Sequence, residues 1–141
     1  MTSWIATWKW RSEGIRQFEI CHLFTQWGAT AAPKILADVD GEVKQIFGWD
    51  TDAASAEYTG FLKAFLEALQ AHLRANDRLS RCYFHVSDEP SMDALESYGR
   101  AAAVVAEALD DDCPVIDALS DYAFYEKGLV KHPIPANNHV D

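Results

Sequence analysis

Apolar residues recur along this chain at spacings that predict four helices. The clearest helix covers residues 55–76, where one face carries these side chains: Tyr58, Phe61, Leu62, Phe65, Leu66, Leu69, His72 and Leu73. A second helix is predicted from about residue 93 to residue 109. Two shorter helices are predicted over residues 3–13 and 122–128, because a glycine ends or follows each of them.

Shorter apolar runs between these helices predict strands. Four of them are expected, over residues 15–24, 81–87, 114–119 and 134–140. Asp40-Gly41 predicts a hairpin turn between strands 35–39 and 42–47, within the long connection that follows the first strand. Because helices and strands otherwise alternate, we predict an α/β fold with about four parallel strands joined by right-handed crossovers.

Every one of the four predicted parallel strands ends in polar side chains. These residues are His22, Asp88 with Glu89, Asp117 with Ser120 and Asp121, and Asn137 with Asn138 and His139. In parallel α/β folds, ligands bind at the carboxyl ends of the strands. The repetition of polar residues at this position therefore predicts a ligand site there.

Asp88 and Glu89 are the strongest candidates for chemistry. Neighbouring carboxylates repel, so ionisation of one makes ionisation of the other harder, and a carboxyl group that stays protonated can serve as a general acid. The alternative is that Asp88 only caps the helix that follows it. Asp93 and Glu96 have the spacing of a capping box and could supply that cap instead, which weakens this alternative.

The strand before these carboxylates has two unlike faces. Cys82, Phe84 and Val86 form an apolar face, and Tyr83, His85 and Ser87 form a polar one. A polar face is expected where a strand borders a cavity or the interior of a barrel. Glu19, in the first strand, is predicted to be buried or to face a cavity, either in a structural ion pair or in the site.

The connection over residues 25–52 is long for a compact domain, and loops of that length are usually functional. Its aromatic side chains, among them Trp27 and Trp49, could stack on the apolar face of a sugar. The alternative is that these rings pack the loop onto the body of the domain.

Composition narrows the choice of ligand and compartment. The formal net charge of −10 makes nucleic acid and anionic membranes poor partners, and no apolar run of 18 residues predicts a membrane span. Cys21, Cys82 and Cys113 lack metal-ligand spacing and are expected to be free, buried thiols. Because no signal peptide is visible and free thiols suit a reducing compartment, we expect a cytoplasmic protein. We expect it to need no metal or other cofactor.

Four blocks of sequence, in order, resemble one known family. They are FEICHLFTQWGATAAPKI (18–35), FGWDTD (47–52), FHVSDEPSMDALESY (84–98) and DALSDYAFYEKGLV (117–130). Together they resemble the catalytic domain of glycoside hydrolase family 123, from about Gly14 to His139. The resemblance implies a (β/α)₈ barrel that hydrolyses terminal β-linked N-acetylgalactosamine by a retaining, substrate-assisted route.

The resemblance also implies roles for the carboxylates. Glu89 would act first as general acid and then as base, and Asp88 would hold the 2-acetamido group while its carbonyl oxygen attacks the anomeric carbon. Further residues are candidates for substrate binding because they lie at strand ends or on the long loop: His22, Trp27, Trp49, Asp117, Asp121 and Asn138. Tyr98 and Tyr122 are weaker candidates, more typical of packing.

The length sets one departure from this family. A complete (β/α)₈ domain needs about 250 residues, whereas this chain has 141. We therefore expect residues 1–141 to form a single partial domain with four strands, which correspond to the third to the sixth strands of the barrel. A second copy of the chain, or the missing half of the barrel, would complete the domain. Two alternatives stay open: a non-catalytic truncated barrel that binds carbohydrate or a partner, and a metal hydrolase using His22, Asp117 and His139.

Overall fold

The computed structural model describes residues 16–136. Its strands are β1 (Phe18–Glu19), β2 (Ile35–Val39), β3 (Glu42–Phe47), β4 (Cys82–Tyr83), β5 (Ile116–Leu119) and β6 (His132–Pro135). Its α-helices are α1 (Ala56–Ala75), α2 (Leu95–Ala108) and α3 (Ala123–Glu126), and short 3₁₀ turns occupy Leu79–Arg81 and Met92–Ala94. The helix predicted over residues 3–13 lies outside the described residues.

The pairing of the strands confirms the predicted mixture of helices and parallel strands. β1 pairs in parallel with β4, and β5 pairs in parallel with β6. An isolated parallel bridge between Phe84 and Val115 connects the two pairs, so the strands follow one another in the lateral order β1, β4, β5, β6. The carboxyl ends of all four strands therefore point in the same direction.

The hairpin predicted at Asp40-Gly41 is confirmed with its strand boundaries. β2 and β3 pair in antiparallel, and Asp40 and Gly41 have φ values of 56° and 84°. Two successive left-handed residues match the twist of the flanking strands. The Gly41 N–H also donates a hydrogen bond to Asp38 Oδ1 at 2.8 Å, which fixes the turn.

The two long helices match their sequence patterns, with one wrong detail at each. α1 begins after Ser55, whose hydroxyl oxygen accepts a hydrogen bond from the Tyr58 N–H at 3.3 Å. Its buried face includes Gln70 in place of the predicted His72, which is exposed. The capping box predicted at Asp93 is wrong, because α2 starts after Ala94 and no side chain caps it.

The predicted strands are longer than the observed ones. β1 and β4 each contain two residues, but the segments that follow them still lie side by side. The Leu23 N–H donates to the His85 carbonyl at 3.1 Å, and the Phe24 N–H donates to the Val86 carbonyl at 3.0 Å. β6 covers His132–Pro135, earlier than the predicted 134–140, and residues 137–141 lie outside the described part.

The core lies between the parallel strands and the helices α1 and α2. Its largest fully buried side chains are aromatic: Tyr58, Tyr98, Phe24, Phe84 and Phe124. All three cysteines are free, as predicted, but the prediction that all are buried is wrong, because Cys21 is exposed. The short segment after β1 that contains Cys21 borders the strand ends described next.

Candidate active site

The Asp88-Glu89 pair lies on a turn immediately after the β4 segment. Ser87 is fully buried, Asp88 is partly exposed and Glu89 is exposed. Glu89 has φ of +42°, a backbone conformation that residues with a side chain seldom adopt. Surrounding contacts must therefore hold this turn in place.

The loop after β1 holds the turn on one side. The Gln26 side-chain amide donates to Asp88 Oδ2 at 3.2 Å, and the Trp27 N–H donates to the Asp88 carbonyl at 2.9 Å. One residue earlier, the Ser87 hydroxyl donates to the Thr25 carbonyl at 2.7 Å. Three successive loop residues thus contact the turn, and one of them contacts the Asp88 carboxylate itself.

β5 holds the same turn on its other side. The Glu89 N–H donates to the Ala118 carbonyl at 3.1 Å. Asp117 Oδ2 accepts hydrogen bonds from the Val86 N–H at 3.2 Å and the Ser87 N–H at 3.4 Å. The Asp117 carboxylate therefore accepts hydrogen bonds from backbone N–H groups that follow β4, at the point where the regular pairing with β5 has ended.

Asp117 is the centre of a buried polar cluster. Its side chain has no exposed surface, and its second oxygen, Oδ1, lies 3.3 Å from His85 Nδ1. The hydroxyl of the fully buried Tyr98 donates to Asp117 Oδ2. Burial, followed by the charge of Asp117 and by this hydrogen bond, raises the pKa of Tyr98, so Tyr98 is the donor in this contact.

His85 connects this cluster to the first strand. Only 9% of its side chain is exposed, and its Nε2 atom lies 3.5 Å from Glu19 Oε2. Burial lowers the pKa of His85, but the hydrogen bond and charge of Asp117, with the charges of Glu19 and Asp88, outweigh burial and raise that pKa above 6.5. Within residues 16–136, His85 Nε2 has no hydrogen-bond partner.

The structure brings some predicted site residues to this turn. The His22 ring meets His85 edge-on, with ring centroids 5.3 Å apart. Trp27 contacts Asp88 through its backbone and leaves 68% of its surface exposed, so its ring does not serve to pack the loop down. The prediction for Glu19 was wrong in its burial, since 64% of its side chain is exposed, although its partner is found in His85.

Other predicted residues lie elsewhere or in another role. Trp49 follows β3 and is 83% exposed. Asp121 Oδ1 accepts a hydrogen bond from the Ala123 N–H at 2.9 Å, at the start of α3. Asn138, together with His139 of the alternative metal site, lies outside the described residues. Asp117 is fully buried, with both carboxylate oxygens in contact with protein groups.

Sequence reasoning missed the contacts of His85 and Tyr98 with Asp117 and the contact of Gln26 with Asp88. Strand parity had placed His85 on the polar face, which was the available signal for it. The sequence favours a packing role for Tyr98, and no local pattern singles out Gln26. Their roles depend on contacts between residues up to 62 positions apart, which only the fold reveals.

Among the described residues, no three His, Cys, Asp or Glu side chains are grouped so that they could hold a metal ion. In that same part of the chain, no helix has both the length and the apolar character needed to cross a membrane.

The chain was compared with known proteins. It matches the family model "Glycoside hydrolase 123, catalytic domain" over residues 1–141. It is similar in structure to a family 123 glycoside hydrolase from Clostridium perfringens, studied for the details of glycolipid glycan hydrolysis, with a TM-score of 0.53 and 16% sequence identity. The match covers 77% of this chain but only 18% of that one, and at this identity it shows the fold alone. No curated protein matches the chain.

Proposed function

Since this chain belongs to the glycoside hydrolase 123 catalytic-domain family, we propose that it carries the catalytic carboxylates of a glycoside hydrolase. The observation that supports this most directly is the turn at Asp88-Glu89. It is held from both sides by backbone and side-chain hydrogen bonds, and it leaves Glu89 exposed at the carboxyl end of a parallel strand.

We assign distinct roles to the two carboxylates, in a retaining, substrate-assisted reaction on terminal β-linked N-acetylgalactosamine or a related N-acetylhexosamine. Glu89 donates a proton to the leaving glycosidic oxygen while the acetamido carbonyl oxygen of the substrate attacks the anomeric carbon. The glycosidic C–O bond breaks and an oxazolinium-type intermediate forms. Glu89 then takes a proton from water as the water attacks the anomeric carbon, so the configuration is retained.

Asp88 serves the acetamido group in this scheme. Its carboxylate orients the amide and stabilises the positive charge that develops on it. The hydrogen bond from the Gln26 side chain to Asp88 Oδ2 supports this role, because it fixes one carboxylate oxygen and leaves the other for the substrate.

The remaining candidates are proposed as substrate contacts. Trp27 and Trp49 are exposed enough to stack on a sugar ring. His22, Asp121 and Asn138 are proposed to bind hydroxyl groups of the substrate.

We also propose the architecture in which these residues act. Residues 1–141 would be one partial domain of a (β/α)₈ barrel and would supply its third to sixth strands. The described chain supports this with four parallel strands in one lateral order. A second copy of the chain, or the other half of the barrel, would complete the site.

A second candidate function is a carbohydrate-binding module without turnover. The comparison of lengths favours this candidate, because the structural match covers less than a fifth of the similar enzyme's chain. Substrate contacts made by other strands would then be absent.

Hydrolysis of an aryl β-N-acetylgalactosaminide separates the two candidates. We expect the wild-type chain to release the aryl group and Glu89→Gln to lose release by on the order of 100-fold or more while still binding the sugar. Glu67→Gln, which alters an exposed carboxylate on α1, is the matched control and should keep full activity. If the folded wild-type chain binds the sugar but releases nothing, this chain by itself acts as a binding module and not as a hydrolase.

A further inference from the structure

The segment after β4 loses its regular pairing with β5 at Val86, two residues after the bridge at Phe84. Phe84 still pairs normally, since its N–H donates to the Pro114 carbonyl and its carbonyl accepts from the Ile116 N–H, both at 2.9 Å. The next N–H group on that side belongs to Val86, and a continued parallel ladder would offer it a backbone carbonyl of β5. Its observed acceptor is Asp117 Oδ2 at 3.2 Å.

The same carboxylate oxygen also accepts the Ser87 N–H at 3.4 Å, so Asp117 binds two successive residues before the Asp88-Glu89 turn. Hydrogen bonds from two neighbouring N–H groups to one anion fix the direction of the backbone there. The residue after Asp117 completes the arrangement, because the Ala118 carbonyl accepts the Glu89 N–H.

Asp117 is itself fixed in place. Tyr98, from α2, donates its hydroxyl to the same oxygen, and His85 lies against the other oxygen. With no exposed surface on Asp117, a substrate group has no path to this carboxylate unless the cluster opens. Its hydrogen bonds are with the backbone before the turn and with the Tyr98 and His85 side chains.

We propose that Asp117 is a positioning residue for the Asp88-Glu89 pair, acting through the Val86 and Ser87 backbone, with Tyr98 and His85 holding its carboxylate. The proposal rests on the proposed function for its catalytic consequence. Under this proposal, Asp117 does not contact the substrate as the sequence predicted but acts on the reaction through the backbone that it holds. A carboxylate pair displaced by even about 1 Å would lose much of its rate, because proton donation and attack both require alignment.

The test compares Asp117→Asn, which keeps the shape and removes the charge, with Gln70→Leu as the control. Gln70 is equally a buried polar residue, but it contacts α2 and the connection to β5 rather than the turn. In the folded Asp117→Asn chain, we expect the amide NMR signals of residues 86–89 to shift and kcat to fall on the order of 100-fold with little change in KM. Gln70→Leu should leave these amide signals and kcat unchanged.

Tyr98→Phe is the second variant, in case Asp117→Asn does not fold. It should shift the same amide signals and produce a smaller loss of kcat, since one donor to Asp117 is removed and the carboxylate stays. The proposal is overturned if folded Asp117→Asn or Tyr98→Phe leaves the signals of residues 86–89 in place, or if the loss falls on KM alone. A wild-type chain without hydrolysis would refute activity of this chain alone, while the amide signals would still decide the positioning role.

Discussion

Two buried polar side chains, Asp117 and Gln70, each attach a loop to a neighbouring element, but with different chemistry. Gln70 Nε2 donates to the Leu66 carbonyl at 3.1 Å and the Ala108 carbonyl at 2.8 Å, and its oxygen accepts from the Asp110 N–H at 2.8 Å and Cys113 Sγ at 3.3 Å. A glutamine amide offers two donors and two acceptor positions, and all are used. The Gln70 cluster is therefore neutral and complete.

The Asp117 cluster differs because it centres on a carboxylate. Its donors are two backbone N–H groups and a tyrosine hydroxyl, and His85 adjoins its other oxygen. The other ring nitrogen of His85, Nε2, lies 3.5 Å from Oε2 of the exposed Glu19. A neutral amide therefore suffices to fix a loop, whereas the charged cluster also contains His85, whose pKa the neighbouring carboxylates raise against the effect of burial.

Asp117→Ala is expected to have the largest effect on stability. It would leave the Val86 and Ser87 N–H groups and the Tyr98 hydroxyl without their acceptor and His85 without its counter-charge, at a cost of about 3–5 kcal/mol. Urea denaturation measures this free energy of unfolding. A loss no larger than that of the corresponding Gln70 variant would contradict the distinction between the two clusters.

Gln70→Leu is expected to cost less, roughly 2 kcal/mol, because it leaves the Ala108 carbonyl and the Asp110 N–H unpaired but strands no charge. Urea denaturation at several pH values is the measurement. We expect the loss to be the same across the pH range, since Gln70 does not titrate. Burial raises the pKa of the Cys113 thiol in this cluster, so a loss that varied with pH below neutrality would contradict this prediction.

The smallest expected effect is a difference between the wild type and His85→Gln in how the free energy of unfolding depends on pH. Because the pKa of His85 is raised in the folded chain, its contribution is fully present below pH 6.5 and is lost as the pH rises through the folded value. The free energy of unfolding should therefore fall above pH 6.5 in the wild type and fall less steeply in His85→Gln. Parallel curves for the two proteins would rule out His85 as the group responsible.

The elements set by local sequence were predictable. The hairpin followed from Asp40-Gly41, whose backbone needs left-handed residues, and α1 followed from its apolar face and the Ser55 cap. The capping box at Asp93 failed because a 3₁₀ turn over Met92–Ala94 precedes α2 and moves its start. A spacing rule cannot register such a shift, since it depends on how the turn packs.

The candidate site was predictable only in part. The adjacency of Asp88 and Glu89 is visible in the sequence, and strand parity placed His85 on the polar side. The loss of regular pairing with β5 after Phe84 was not predictable, because the acceptor of the Val86 N–H is the side chain of Asp117, 31 residues away. Burial of Asp117 and exposure of Glu19 likewise depend on which strands become neighbours, which periodicity does not specify.

The Val86 N–H is bound by the side chain of Asp117 rather than by the backbone of β5, so the course of the chain before the acidic pair can be changed by substitution. A strand that ends at a backbone turn can be moved only by inserting or deleting residues. Here, a side chain longer by one methylene, as in Asp117→Glu, would carry the carboxylate outward by roughly 1.5 Å, the length of one carbon–carbon bond. Position 117 thus offers a way to tune the depth of the acidic pair without altering either acidic residue.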